Sequence, residues 1–272
     1  IYCGEGFAGG GRALWLQVVR LGLAGFRHGG VAAARRSGEL LYGAYAWSIY
    51  GLLTLPAAGI LLLPDPALRW RFAHSIARIC VRLCGVRLQV EGLEHLPRQA
   101  GVLVANHASY VDSIVLAAAL PQPVAFVAKQ ELAVHPLAGP LLRRLGAAFV
   151  ERFDARQGVD DVRRLAEIAG TRPMFFFAEG TFTRQKGLRP FRLGAFQIAV
   201  QNGLAVTPVV LAGTRDVLRD ESWLPRRGAV RVCIGEPIAP VGEGWQAALQ
   251  LRDATRAAIL RDCGEPDLDA AP

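Results

Sequence analysis

Asn106-His107-Ala108-Ser109-Tyr110-Val111-Asp112 places an imidazole and a carboxylate five residues apart, directly after the apolar run 101–105. Histidine is the side chain suited to take up a proton near neutral pH. A neighbouring carboxylate fixes the ring tautomer and stabilises the imidazolium once the proton has moved. If Ser109 caps a helix, Asp112 sits in its first turn and leans back towards His107, because helical side chains tilt towards the N-terminus. The same residues also satisfy a Ser-x-x-acid capping box, which starts a helix and needs no chemistry. On these seven residues alone, the proton-transfer and capping readings weigh equally.

The surrounding pattern supplies a frame for such a pair. From residue 86 onward, strand-like runs alternate with helix-like segments. The spacing predicts strands over 86–91, 101–105, 124–128, 147–150, 173–178, 205–211 and 229–234. It predicts helices over 110–120, 137–145, 158–169, 194–202 and 245–261. Several strand runs are apolar throughout, as in a sheet covered on both faces. The expected fold is α/β, a mixed, largely parallel sheet flanked by helices and preceded by an N-terminal membrane-associated helical segment. Four regions are expected: an undefined segment 1–38, membrane-associated helices 39–85, the α/β domain 86–263, and a flexible, acidic tail 264–272.

Residues 40–63 contain no charged side chain. As a helix they would run roughly 36 Å, enough for a hydrocarbon core of about 30 Å. Tyr42, Tyr45, Trp47 and Tyr50 favour an interface near the first half. Pro56 and Gly59 would kink the helix or let it dip in and return. Arginines flank both ends, so charge gives no orientation. Residues 67–84 read as a second, amphipathic helix bearing Arg69, Arg71, Arg78 and Arg82, suited to a membrane surface. An amphipathic helix is also possible over 13–23.

The net charge is +8, and all but Lys129 and Lys186 of the basic residues are arginine. A basic, apolar chain suits an anionic membrane or nucleic acid. With no nucleic-acid motif in the sequence, the membrane is the expected partner. The five cysteines (Cys3, Cys80, Cys84, Cys233 and Cys263) are scattered and odd in number, so buried free thiols are expected rather than a disulfide framework or metal site. No metal or cofactor is expected.

Three further segments close strands: Gly146-Ala147-Ala148-Phe149-Val150-Glu151-Arg152; Phe175-Phe176-Phe177-Ala178-Glu179-Gly180-Thr181; and Val206-Thr207-Pro208. Read singly they are a surface arginine, a strand-to-loop turn, and a bulge or edge-strand proline. Taken in order with His107 and Asp112, they resemble the four blocks of the glycerolipid acyltransferase family, whose best-known members are 1-acyl-glycerol-3-phosphate acyltransferases. Those blocks are His-x4-Asp, Gly-x-x-Phe-x-x-Arg, Phe-Pro-Glu-Gly-Thr and Val-x-Pro. Two departures stand out. Ala178 replaces the proline, and Phe182 occupies a position where many members carry an arginine thought to bind phosphate. The nearest arginine is Arg184, and Lys186, Arg189 and Arg192 follow.

The resemblance implies an O-acyltransferase in which His107 is the general base and Asp112 orients it. It implies a substrate site containing Arg152, Glu179, Gly180, Thr181, Arg184 and Pro208, with Glu179 on an acceptor hydroxyl and Arg152 on acceptor phosphate. The donor would be acyl-CoA or acyl carrier protein. The acceptor would be a lysophospholipid, first 1-acyl-glycerol-3-phosphate giving phosphatidate, with lyso-ornithine lipid or another lysolipid as the alternative. The expected location is the membrane, on the cytoplasmic face of a bacterial inner membrane. A thioesterase or hydrolase built on Ser109 is disfavoured, since no Gly-x-Ser-x-Gly elbow occurs. A non-catalytic lipid-binding protein is disfavoured by the intact His107/Asp112 pair.

Overall fold

A computed structural model describes residues 36–136, 138–150, 163–219 and 222–269. The segment 1–35, Arg152 and the expected helix start at 158–162 lie outside the described residues, as do Leu137 and the last three residues of the tail.

In chain order the elements are α1 (36–58, tightening into a 3-10 turn over Gly59–Leu62), α2 (Pro66–Leu83), β1 (Arg87–Glu91), β2 (Gly101–Ala105), α3 (Asp112–Ala119), β3 (Ala125–Lys129), α4 (Ala138–Arg144), β4 (Ala148–Val150), α5 (163–169), β5 (Pro173–Phe177), α6 (Gly194–Gln201), β6 (Val206–Ala212), α7 (Thr214–Val217), β7 (Ala229–Ile234) and α8 (Gly244–Cys263). The seven strands form one sheet in the order β1-β7-β6-β2-β5-β3-β4, parallel throughout except between β6 and β7. Each expected strand is present, its ends shifted by one residue at most.

Two apolar layers cover the sheet because successive side chains on a strand point to opposite faces. Val102, Val104, Met174, Phe176, Val206 and Val210 pack with α6 and α8. Leu103, Ala105, Phe175, Val209 and Leu211 pack with α3 and with Trp70 of α2. Trp70 buries its indole there and donates its Nε1–H to the carbonyl of Leu120 at 3.1 Å. Asp65 caps α2 by accepting from the Leu68 amide at 2.8 Å, with Pro66 at the first helical position.

α1 and its terminal turn form one apolar helix of 27 residues, Arg36–Leu62, long and apolar enough to cross a membrane, and mostly unburied. Pro56 does not turn it back into a hairpin. The helix instead ends at Leu63, which is extended. Both of its ends are tied to the α/β domain. At the first, Tyr42 and Tyr45 donate to the carbonyls of Cys84 and Leu83, Trp47 donates to that of Trp223, and Glu39 pairs with Arg226 at 3.0 Å. At the second, Arg144 donates to the carbonyls of Leu61 and Leu63, and Arg69 to those of Leu63 and Pro64.

The tail departs from expectation through Asp269. Rather than fraying, it bridges the 187–189 loop. The Leu188 amide donates to the Pro266 carbonyl, and the Leu268 amide to that of Leu188. The tail's acidic residues Glu265 and Asp267 make ion pairs with Arg215 and with Arg256 of α8.

Candidate active site

His107 leaves the carboxyl end of β2, beside the ends of β5 and β6, where the chain must turn away from the sheet. Asn106 prepares that turn. Its buried amide donates to the Leu211 carbonyl and accepts from the Leu211 N–H, both at 2.8 Å. The side chain thus continues the β2–β6 ladder for one more rung while the backbone diverges.

The structure brings His107 and Asp112 together, with Nδ1 2.8 Å from Asp112 Oδ2. The same oxygen accepts the amides of Ala108 at 2.7 Å and Ser109 at 2.9 Å. Asp112 is 0% exposed, and His107 keeps 17% of its side-chain surface. Three N–H groups therefore converge on one carboxylate oxygen. An acceptor-only partner at Nδ1 requires that nitrogen to carry the proton. Nε2 is then left with a lone pair. The imidazole stacks on Phe177, centroids 4.0 Å apart, and meets the edge of Phe182 at 4.5 Å. Phe182 in turn packs on Tyr110.

Helix α3 begins at Asp112 rather than at Ser109. Ser109 accepts weakly from Val111 and donates its hydroxyl to the Leu218 carbonyl at 2.6 Å. It ties the site to the segment after β6 and does not cap α3.

Glu179, expected on an acceptor hydroxyl, is held by two backbone amides. It is 5% exposed. Oε1 accepts the His107 amide at 2.7 Å and Oε2 the Arg189 amide at 3.0 Å. It positions the backbone on both sides of the site. Burial pushes its carboxyl up to about 7, against the pull of those two N–H donors. Gly180 turns the chain at φ +77°, and a Cβ there would lie 2.6 Å from Arg192 Nε. The neighbouring Thr181 hydroxyl makes only a long 3.4 Å contact with the Phe182 carbonyl.

Arg184 lines a cleft with Lys186, Arg215 and Arg219. Pro208 is not on an edge strand. It is buried in central β6 and lines the surface shared with α8, beside Cys233 and Ala258. Its carbonyl accepts from Gly235, so its missing N–H points the same way, past the end of β7, and costs the β2–β6 ladder nothing. Arg152 lies outside the described residues.

Several contributors were given no role in the sequence: Asn106, Phe177 and a brace behind the loop. In that brace, Arg215 donates to the Thr183 carbonyl and to Glu265, and Glu265 accepts the Gly187 amide. Only Asn106, polar and immediately before the histidine at a strand end, carried a local signal. An apolar cavity of about 160 Å³ opens beside Tyr110 and Val111, walled by Tyr42, Trp47, Cys80 and Leu218. Among the described residues, no cluster of three or more histidine, cysteine or acidic groups forms a metal site, and Cys80, Cys84, Cys233 and Cys263 are free thiols.

Residues 87–212, the stretch from β1 through β6, match the family model described as Acyltransferase. A lyso-ornithine lipid O-acyltransferase of Pseudomonas aeruginosa is 31% identical over 223 residues, 76% of this chain and 83% of that protein. The chain belongs to the acyltransferase family. A chloroplastic 1-acyl-sn-glycerol-3-phosphate acyltransferase of Arabidopsis thaliana is 34% identical over 184 residues, 65% of this chain and 51% of that protein. The chain thus spans about half the length of such plant relatives. The crystal structure of the 1-acyl-sn-glycerophosphate acyltransferase of Thermotoga maritima superposes with a TM-score of 0.71 at 23% identity, covering 88% of this chain and 99% of that one. That likeness establishes a shared fold.

Proposed function

We propose that this acyltransferase moves a fatty acyl group from a thioester donor, acyl-CoA or acyl carrier protein, to the hydroxyl of a lysophospholipid at a membrane. The first acceptor is 1-acyl-glycerol-3-phosphate, giving phosphatidate. The observation that carries the reading is the His107–Asp112 contact of 2.8 Å, which leaves Nε2 without a proton at the mouth of an aromatic niche. Nε2 takes the proton of the acceptor hydroxyl as its oxygen bonds to the thioester carbonyl carbon. Asp112 stabilises the imidazolium. The tetrahedral intermediate collapses, the C–S bond breaks, and the departing thiolate takes the proton from Nε2. No acyl-enzyme forms. The apolar cavity beside Tyr110 receives part of a fatty chain.

Both ends of α1 are fastened to one domain, so in this reading α1 lies along the face of a single leaflet and does not leave the domain to cross. Leu41, Leu52, Leu55 and Leu62 are exposed on it. Docking there spares the enzyme from extracting a lysolipid, at about 0.8 kcal/mol per methylene.

A second acceptor, lyso-ornithine lipid, is favoured by one feature. Phe182, which stands where the family resemblance leads one to expect an arginine, packs on His107, and the Pseudomonas relative aligns over most of both chains. The test uses the purified chain in vesicles with labelled acyl thioester and a panel of lysolipids, with product identity read by mass spectrometry. Diacyl product from lysophosphatidate supports the first reading, and product from lyso-ornithine lipid alone supports the second. Release of free fatty acid without any lipid product refutes both.

A further inference from the structure

α2 shows two adjacent stripes to the outside. Leu68, Phe72, Ile79 and Leu83 form an exposed apolar row, and Arg71, Arg78 and Arg82 an exposed basic one. Such spacings keep each row on one side of a helix. At the carboxyl end of α2 the basic row turns a corner onto the edge strand β1. There Arg78, Arg82 and Arg87 line a cleft of about 780 Å³ together with Ile79, Val86 and Leu88. Among the described residues none of these three guanidinium groups makes an ion pair. The carboxylate on β1, Glu91, is 3.8 Å from Arg231 instead. A fourth cation, Arg227, borders the corner at Gly85 and lies over the Tyr42 ring at 5.2 Å. The corner sits directly against the first half of α1, since Tyr42 and Tyr45 hydrogen-bond to the carbonyls of Cys84 and Leu83.

Three unpaired arginines beside an apolar row, held against a helix apolar enough for a membrane, match the two halves of an acidic lipid. We propose that this corner binds the phosphate of an anionic phospholipid in the leaflet on which α1 and α2 rest. Arg78, Arg82 and Arg87 contact the phosphate, and the apolar row of α2 lies against the acyl chains. The inference rests on the membrane reading above but concerns a site apart from His107. The cleft contains neither His107 nor Asp112, and Val81 and Val86 form the wall between it and the apolar cavity; the occupant proposed here is a standing lipid.

The experiment measures binding of the full chain to phosphatidylcholine vesicles with and without about 30 mol% phosphatidylglycerol. It compares Arg78→Gln/Arg82→Gln/Arg87→Gln with an equal-charge control, Arg98→Gln/Arg172→Gln/Arg261→Gln. Wild type and control should prefer the anionic vesicles. The cleft variant should lose about fivefold in affinity per arginine, on the order of a hundredfold in all, on anionic vesicles only. Its thermal melt and its transfer activity in detergent micelles should be unchanged, which excludes misfolding. Equal losses in both variants would reduce the effect to net charge and overturn the proposal, as would a cleft variant that keeps the preference. Displacement from vesicles by micromolar adenosine 3′,5′-bisphosphate, dependent on the three arginines, would make the occupant a soluble phosphate and also overturn it. Vesicle binding needs no acyl transfer, so a chain that proves inactive but shows the arginine-dependent preference would refute the assigned reaction and leave this site standing.

Discussion

Replacing Asp112 by asparagine separates its two roles, because three donors converge on one oxygen. His107 Nδ1, the Ala108 amide and the Ser109 amide all point at Oδ2, while Oδ1 is buried without a hydrogen-bond partner among the described residues. In Asp112→Asn the carbonyl oxygen must occupy the Oδ2 position, since an NH2 there would face three N–H groups. The Nδ1–H tautomer and the ring position are therefore kept, and only the negative charge is lost. With nitrogen and oxygen 2.8 Å apart, the imidazolium and carboxylate charges lie roughly 4 Å apart and attract by about 4 kcal/mol at an effective dielectric of about 20. Each 1.4 kcal/mol or so is tenfold in rate, so kcat should fall on the order of a thousandfold. The NH2 left at the former Oδ1 position should cost about 1–3 kcal/mol of stability. Asp112→Ala should be worse on both counts, since it also releases the ring and abandons two backbone N–H groups. The assay is kcat with both substrates saturating, alongside thermal melts. If Asp112→Asn keeps kcat within tenfold of wild type while His107→Ala is inactive, the carboxylate only caps a loop and the reasoning fails.

Glu179 makes stability depend on pH in the direction unusual for a carboxylate. Its folded-state value of about 7 lies above the ordinary 4.5, so the folded chain holds the proton more tightly, and stability falls as pH rises from about 4.5 to 7. The Glu179 contribution is up to about 3 kcal/mol. Glu179→Gln should lack that slope, gaining on wild type in urea unfolding between pH 5 and 8, and parallel curves for the two proteins would exclude the assignment. Gly180→Ala should lose about 1–2 kcal/mol from the left-handed backbone alone, a fall in Tm of a few degrees, and should displace Arg192. An unchanged Tm would mean that the turn relaxes freely.

The sheet was legible because its central strands are uninterrupted apolar runs with polar or glycine punctuation, as in Gly101–Ala105 followed by Asn106. The His107–Asp112 contact was legible because it is local, five residues apart and governed by helix geometry. What escaped is non-local. Glu179 meets the His107 amide across 72 residues, and Arg215 meets Glu265 across 50. No short window of sequence encodes such a pairing. The backbone contacts of Glu179 were therefore not visible in the sequence. Pro208 read as a bulge or edge-strand residue because a missing donor is harmless there; in β6 that side faces Gly235, past the end of β7. The pairing of the tail's acids with Arg256 and Arg215 is likewise non-local. α7, four residues long, has no period to detect.

The central claim is that His107 takes the proton of a lipid hydroxyl while that hydroxyl captures a thioester-bound acyl group. The most direct measurement is transfer of labelled acyl from the thioester to lysolipid by wild type and by His107→Ala, in the same vesicles, with folding checked by thermal melt. Loss of general-base assistance should cut the rate by about 10²–10⁴ with the fold intact, and a variant that still forms diacyl product within tenfold of wild type would contradict the account.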